Sequence, residues 1–169
     1  MVAIMKIKLK EKHFFYSNIF TFNPNLLEKM NKNGPIVIIE DDPDDQDFLQ
    51  TVFSELNIPN RLILFSEAKA ALEFFNASKE IFFLIISDIN MPKMSGFELR
   101  DKVHSSDELR LRCIPYIFLS TSFDPQTIVD AYSRSIQGYF TKPNSYEDLK
   151  HQIATIVAYW SNAQLPQPL

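Results

Sequence analysis

Three uninterrupted apolar runs constrain this chain more than anything else in it: Ile36-Val37-Ile38-Ile39, Ile81-Phe82-Phe83-Leu84-Ile85-Ile86 and Tyr116-Ile117-Phe118-Leu119. Short runs without polar alternation mark strands covered on both faces, as in a parallel sheet with helices on each side. Between them the period becomes helical. After the first run Asp42 offers an N-cap and Pro43 a first helical residue. Phe48, Leu49, Val52, Phe53 and Leu56 then form an apolar stripe, which Asn57 and Pro59 end. Residues 61–65 read as a second strand, and Ser66 opens a helix carrying Ala70, Ala71, Phe74 and Phe75. A loop with Pro92 and Gly96 leads to a short helix with Phe97, Leu99 and Val103. Asp124-Pro125 repeats the cap-and-proline start for a helix through Tyr132. Gly138-Tyr139-Phe140-Thr141 is a fifth strand, and the last helix starts at Asn144 or Ser145 with Leu149, Ile153, Ile156, Val157 and Trp160 on one stripe. Five strands alternating with five helices predict an α/β doubly wound parallel sheet.

One domain over residues 35–161 accounts for most of the 169-residue chain. Residues 1–34 carry no clear period. They read either as a flexible arm or as a start set too early, with Met30 the true beginning, and the sequence leaves both open. Residues 162–169 hold two prolines and read as a loose tail. A net charge of −4 argues against nucleic-acid binding through a basic surface. No apolar run approaches the roughly 18 residues of a membrane span, and the lysines among residues 1–12 interrupt any secretory signal. The single cysteine, Cys113, has no partner for an intramolecular disulfide and reads as a small buried hydrophobe. A cytoplasmic, reducing setting fits all of this.

In doubly wound sheets ligands bind beyond the carboxyl ends of the strands. The residues closing the predicted strands are Glu40 and Asp41, Asp88, Ser120 and Lys142. Three carboxylates in one crevice repel, at about 4 kcal/mol per pair for ~4 Å and an effective dielectric of ~20. Lys142 offsets part of that, and a divalent cation would offset the rest. All-oxygen ligands favour magnesium, and the lack of a His or Cys in the group argues against zinc. An aspartate can accept a phosphoryl group as an acyl phosphate, a transfer that needs mainly positioning and charge neutralisation. Ser120 can donate to a phosphoryl oxygen, and Lys142 can approach it as a point charge. Asp42, Asp44 and Asp45 read instead as charge at a helix N-terminus.

Four motifs carry a family resemblance: Val37-Ile38-Ile39-Glu40-Asp41-Asp42, Ile85-Ile86-Ser87-Asp88-Ile89-Asn90-Met91-Pro92-Lys93-Met94-Ser95-Gly96, Ile114-Pro115-Tyr116-Ile117-Phe118-Leu119-Ser120-Thr121, and Gly138-Tyr139-Phe140-Thr141-Lys142-Pro143. In this order and spacing they resemble the receiver domain of response regulators, the acceptor half of two-component signalling. The resemblance implies a flavodoxin-like strand order 2-1-3-4-5 and a phosphoprotein switch with Asp88 as phosphoacceptor. It implies a Mg2+ site formed by Asp41 directly, Glu40 through water, Asp88, and the backbone carbonyl of Asn90. Ser120 takes the switching hydroxyl position, Lys142 pairs with the phosphoryl group, and Tyr139 takes the aromatic switch position. The implied phosphodonor is a sensor histidine kinase or phosphotransfer protein. The implied target is a protein meeting the face of the Asp124–Tyr132 helix, the fifth strand and the last helix, with a homodimer left open.

Beyond self-phosphorylation and slow autodephosphorylation at Asp88, no enzymatic activity is expected. A phosphatase of the haloacid dehalogenase type wants a second Asp two residues on, where this chain has Asn90. A scaffold of the same fold that binds a partner without phosphate is the alternative. Thr121 stands where many receivers have Ala or Gly, and slower dephosphorylation than in Thr121→Ala is expected. Ser120-Thr121-Ser122 and residues 105–112 resemble small stand-alone receivers, including partners of bacterial phytochrome kinases. With nine residues after Trp160, output is expected through protein–protein contact or phosphate relay.

Overall fold

The computed structural model describes residues 31–164. The expectations for residues 1–30 and 165–169 lie outside the described residues. After a single 3-10 turn at Asn31–Asn33 the chain enters β1 (Ile36–Ile39), α1 (Pro43–Glu55), β2 (Leu62–Phe65), α2 (Ala68–Ala77) and β3 (Leu84–Ser87). It continues through α3 (Gly96–Ser105), α4 (Asp107–Leu111), β4 (Tyr116–Ser120), α5 (Pro125–Ser133), β5 (Gly138–Thr141) and α6 (Tyr146–Asn162). All strands pair in parallel, in the order β2-β1-β3-β4-β5.

The apolar runs work as two-sided strands, feeding alternate residues to opposite faces. Val37, Ile39, Ile85, Tyr116 and Phe118 pack with Ala71 and Phe75 of α2, Leu99 and Val103 of α3, and Ala131 of α5. Ile36, Ile38, Leu84, Ile86, Ile117 and Leu119 pack on the other side with Leu49, Val52 and Phe53 of α1 and Ile153, Ile156 and Val157 of α6. The caps follow the sequence: Asp42 accepts from Asp44 and Asp45 N–H, Asp124 from Thr127, and Ser145 from Asp148. At α3, Ser95 and Glu98 form a reciprocal capping box.

Several expectations shift. Among the described residues six helices form rather than five. The sixth is α4, a five-residue helix that Ser106 caps, with Arg110–Asp107 and Arg112–Glu108 pairs along it. The strand expected over residues 81–86 lies at Leu84–Ser87, with Phe82 and Phe83 as a buried approach and Ile81 exposed. β2 is an edge strand, half-buried throughout, and starts at Leu62. α2 starts at Ala68 without a side-chain cap, and its buried stripe uses Ala68 in place of Ala70. Phe48 is 52% exposed, its ring edge-on to Tyr146 of α6. Cys113 is also exposed. It turns the chain out of α4 at φ 50°, with its N–H on Arg110 C=O, which keeps its side chain out of the core.

Candidate functional site

The strand order fixes where the site must be. From β1 the chain crosses to β2 on one side, then back over β1 to β3 on the other, so a crevice opens between the carboxyl ends of β1 and β3. Register does the rest. Ile39 lies opposite Ser87, and Asp88 N–H donates to Ile39 C=O at 2.9 Å, which sets Glu40 and Asp88 side by side. Ser120 lies opposite Thr141, and Lys142 N–H donates to Ser120 C=O at 2.8 Å, bringing the lysine to the same end.

Carboxylate oxygens of Glu40, Asp41 and Asp88 converge within 4.8 Å of one another. Glu40 and Asp88 are buried and Asp41 is half-buried. Asp88 Oδ1 accepts from Ile89 N–H at 2.7 Å, while Oδ2 stands 3.9 Å from Lys142 Nζ. Glu40 Oε2 takes the lysine at 2.6 Å, and its Oε1 accepts from Asp42 N–H at 3.3 Å. Burial nevertheless dominates at Glu40 and pushes its carboxyl up to about 7, against the pull of Lys142. For Lys142 burial works against the charge, but hydrogen bonds to Asp45 and Glu40 outweigh it and hold the ammonium above its ordinary value.

Ser120 is fully buried, with its Oγ accepting from Ser122 N–H at 3.4 Å. Tyr139 is half-buried, and its hydroxyl donates to Ser122 C=O at 2.6 Å. Asn90 is exposed on the loop that leaves Asp88. That loop is tightly folded: Gly96 N–H and Met91 N–H both reach Ile89 C=O, and Lys93 takes φ 67°.

One residue departs from its expected role. Asp45 does more than decorate a helix N-terminus: its Oδ2 pairs with Lys142 Nζ at 2.6 Å. Its position in the first turn of α1, three residues after the capping Asp42, aims it back over the crevice. No local sequence signal marks it, because its partner Lys142 lies 97 residues away.

The donor set fits a hard divalent cation. Three carboxylates converge, and at Glu40 burial penalises the charged form, a penalty that a nearby cation relieves. Around a magnesium-sized ion with bonds of ~2.1 Å, ligand oxygens lie about 3 to 4.2 Å apart, so the observed cluster needs little closure. Glu40, Asp41 and Asp88 are the residues that would hold it. Beside them, Asp88 Oδ2 stands 3.9 Å from the Lys142 ammonium and takes no hydrogen bond among the described residues.

The comparisons agree with this geometry. The sequence profile described as response regulator receiver domain matches residues 36–154. The probable methanogenesis regulatory protein FilR2 of Methanothrix harundinacea is 30% identical over 129 residues, covering 74% of this chain and 82% of FilR2. The crystal structure of the phosphorylated cyanobacterial phytochrome response regulator RcpA is 26% identical with a TM-score of 0.70, covering 79% of this chain and 98% of that one. The Mn(2+)-bound form of response regulator Rcp1 is 27% identical with a TM-score of 0.68, covering 78% and 97%; Rcp1 is a Synechocystis protein. With its flavodoxin-like order and its strand-end carboxylates, the chain belongs to the response regulator receiver domain family.

Proposed function

We propose that this receiver is a phosphorylation switch in which Asp88 Oδ2 accepts a phosphoryl group from a phosphohistidine on a sensor histidine kinase or phosphotransfer protein. One observation carries the reading: Asp88 has one oxygen tied to Ile89 N–H and the other open among the described residues, 3.9 Å from Lys142 and beside Glu40 and Asp41. The O–P bond forms to Oδ2 as the P–N bond breaks, and the electron pair leaves with the imidazole nitrogen. Glu40, Asp41, Asp88 and the Asn90 carbonyl would hold Mg2+, which when bound supplies charge neutralisation for the transferring group. The phosphorylated state of RcpA and the Mn(2+)-bound state of Rcp1 support both parts.

Lys142 pairs with the phosphoryl oxygens, and Ser120 turns its hydroxyl toward them. Tyr139 then responds through Ser122. The remodelled face comprises α5, β5 and α6, where Tyr132 and Tyr159 stand exposed and line a shared groove with Tyr139. A downstream protein, or a second copy of the chain, meets that face. Apart from slow hydrolysis of its own acyl phosphate, the protein turns over no substrate. The reading carries a cytoplasmic setting with it.

Incubation with acetyl phosphate and Mg2+ tests this by intact mass. A phosphoryl increment that Asp88→Asn abolishes is expected. No increment on the wild type would favour the phosphate-independent scaffold.

A further inference from the structure

Lys142 lies beside Asp88 and not on it. Its ammonium is shared between Glu40 Oε2 and Asp45 Oδ2, each at 2.6 Å, while Asp88 Oδ2 is 3.9 Å away. An ammonium has three hydrogens to donate. Among the described residues two are engaged, which leaves one for an oxygen arriving at Asp88. Asp45 stands apart from the three carboxylates that converge for a cation. Its backbone is fixed as well, because its N–H donates to the capping Asp42 Oδ1 at 3.2 Å. With that backbone fixed, the short Asp45 side chain has little reach, and its carboxylate meets the long, flexible Lys142 side chain at a defined place.

We propose, on the strength of the signalling reading above, that Asp45 is a positioning residue. It anchors Lys142 so that the carboxylate cluster and Asp88 Oδ2 stay open to a divalent cation and an incoming phosphoryl group. Without Asp45, the anions nearest the ammonium are Glu40 and Asp88. Charge-assisted contacts settle at about 2.7–2.9 Å, so a shift of roughly 1 Å closes the remaining gap to Asp88. The lysine then occupies the nucleophilic oxygen and competes with the cation for the same carboxylates. Lys142 is largely shielded from water, so salt does little to weaken that competition. A residue serving only as helix N-terminal charge would influence stability and leave cation binding alone.

Calorimetric titration with Mg2+ alone separates the two roles. Asp45→Asn is expected to weaken binding about tenfold, the effect of one displaced charge-assisted contact. In a Lys142→Met background the same substitution should change binding less than about twofold, because nothing is left to anchor. Asp45→Glu should recover much of the affinity, and Asp44→Asn, an exposed carboxylate on the same turn, should stay within about twofold of wild type. Equal losses in both backgrounds, or from Asp44→Asn, would mean that acidic charge acts directly on the cation, and would overturn the anchor. The Lys142 ammonium resonance in 15N-lysine-labelled protein tests the contact without the Met variant: it should be protected in wild type and exchange-broadened in Asp45→Asn, and an unchanged signal overturns the proposal. Wild type that binds no Mg2+ and takes no phosphoryl group from acetyl phosphate removes the signalling reading and the anchor together. Wild type that does both, alongside an Asp45→Asn protein identical to it, removes the anchor alone.

Discussion

Gly96 passes so close to Asp88 that a β-carbon on it would lie 2.0 Å from the Asp88 carbonyl oxygen. The contact is backbone against backbone, so no side-chain rotation relieves it. The same carbonyl accepts from Ser87 Oγ at 2.8 Å, and Gly96 N–H is tied to Ile89 C=O, so both partners are held. Gly96→Ala therefore has to displace the loop between β3 and α3. Alanine's better helix propensity returns at most ~1 kcal/mol, against an overpacking cost of about 1–3 kcal/mol or more. A net loss of about 1–2 kcal/mol in urea unfolding is expected, together with slower phosphoryl uptake from acetyl phosphate. A variant as stable and as reactive as wild type would show that the loop yields freely.

Much of this was legible in the sequence because the signals were local or strictly periodic. Ile36–Ile39 and Tyr116–Leu119 announced two-sided strands, and Asp42-Pro43 and Asp124-Pro125 announced helix starts that the structure bears out. The convergence of Glu40, Asp41, Asp88 and Lys142 followed from the strand-end rule, which depends on topology and not on detail. What the sequence hid was the outcome of competition between neighbours. Phe48 has the right spacing for the core, yet it lies at the edge of α1's buried face, where Tyr146 meets it edge-on in place of full burial. Cys113 is apolar by type but sits at a left-handed turn. Asp45 looked like one aspartate among several because its partner is 97 residues away.

Arg100 is buried and, among the described residues, pairs with no carboxylate. Its guanidinium donates to Arg134 C=O at 3.0 Å and Ser135 C=O at 2.6 Å, and stacks 5.2 Å from the Tyr116 ring centroid. Those carbonyls follow the end of α5, where the helix dipole is negative, so a cation there is favoured twice. Burial lowers the pKa of Arg100 from its ordinary value, and the fork of donors is what keeps the charge tolerable. Arg100→Met should cost about 1–3 kcal/mol by taking the donor from Arg134 C=O, while Ser135 C=O keeps the Gln137 amide at 2.9 Å. Arg100→Lys should recover less than half, since an ammonium lacks the planar fork. Denaturant midpoints measure both, and equal stability of the Lys variant and wild type would contradict the fork.

Glu40 makes the cation-free protein sensitive to pH in a definite direction. Its folded value is pushed up to about 7 from an ordinary 4.5, chiefly by burial. Between those values the folded protein holds a proton that the unfolded chain releases, so stability is fully present below the unfolded value and is lost as pH rises through about 7. The size of the effect is roughly 3 kcal/mol. In EDTA, urea midpoints should fall from pH 5 to pH 8, and Glu40→Gln should flatten that slope. Excess Mg2+ should flatten it too, by compensating the carboxylate. A slope that survives in Glu40→Gln would assign the effect to other groups.

Ser122 is held at both ends by the two residues expected to switch. Its N–H donates to Ser120 Oγ at 3.4 Å, and its carbonyl accepts from the Tyr139 hydroxyl at 2.6 Å. The first bond is long and the second short, so the resting position of this loop owes more to Tyr139. A phosphoryl group that draws Ser120 Oγ toward Asp88 removes the acceptor of Ser122 N–H while leaving the tyrosine bond to be broken or dragged along. Tyr139→Phe deletes that bond beforehand. A neutral hydrogen bond contributes about 1 kcal/mol, so amide exchange at residues 121–123 should quicken roughly fivefold in the unphosphorylated variant. Formation of the acyl phosphate should then add less further exchange in Tyr139→Phe than in wild type, because part of the release has already occurred. Hydrogen exchange followed by mass spectrometry, with and without acetyl phosphate and Mg2+, measures all four states. If the phosphorylation-induced increase is the same size in both proteins, Tyr139 moves independently of Ser122 and the hydroxyl bond is no part of the switch.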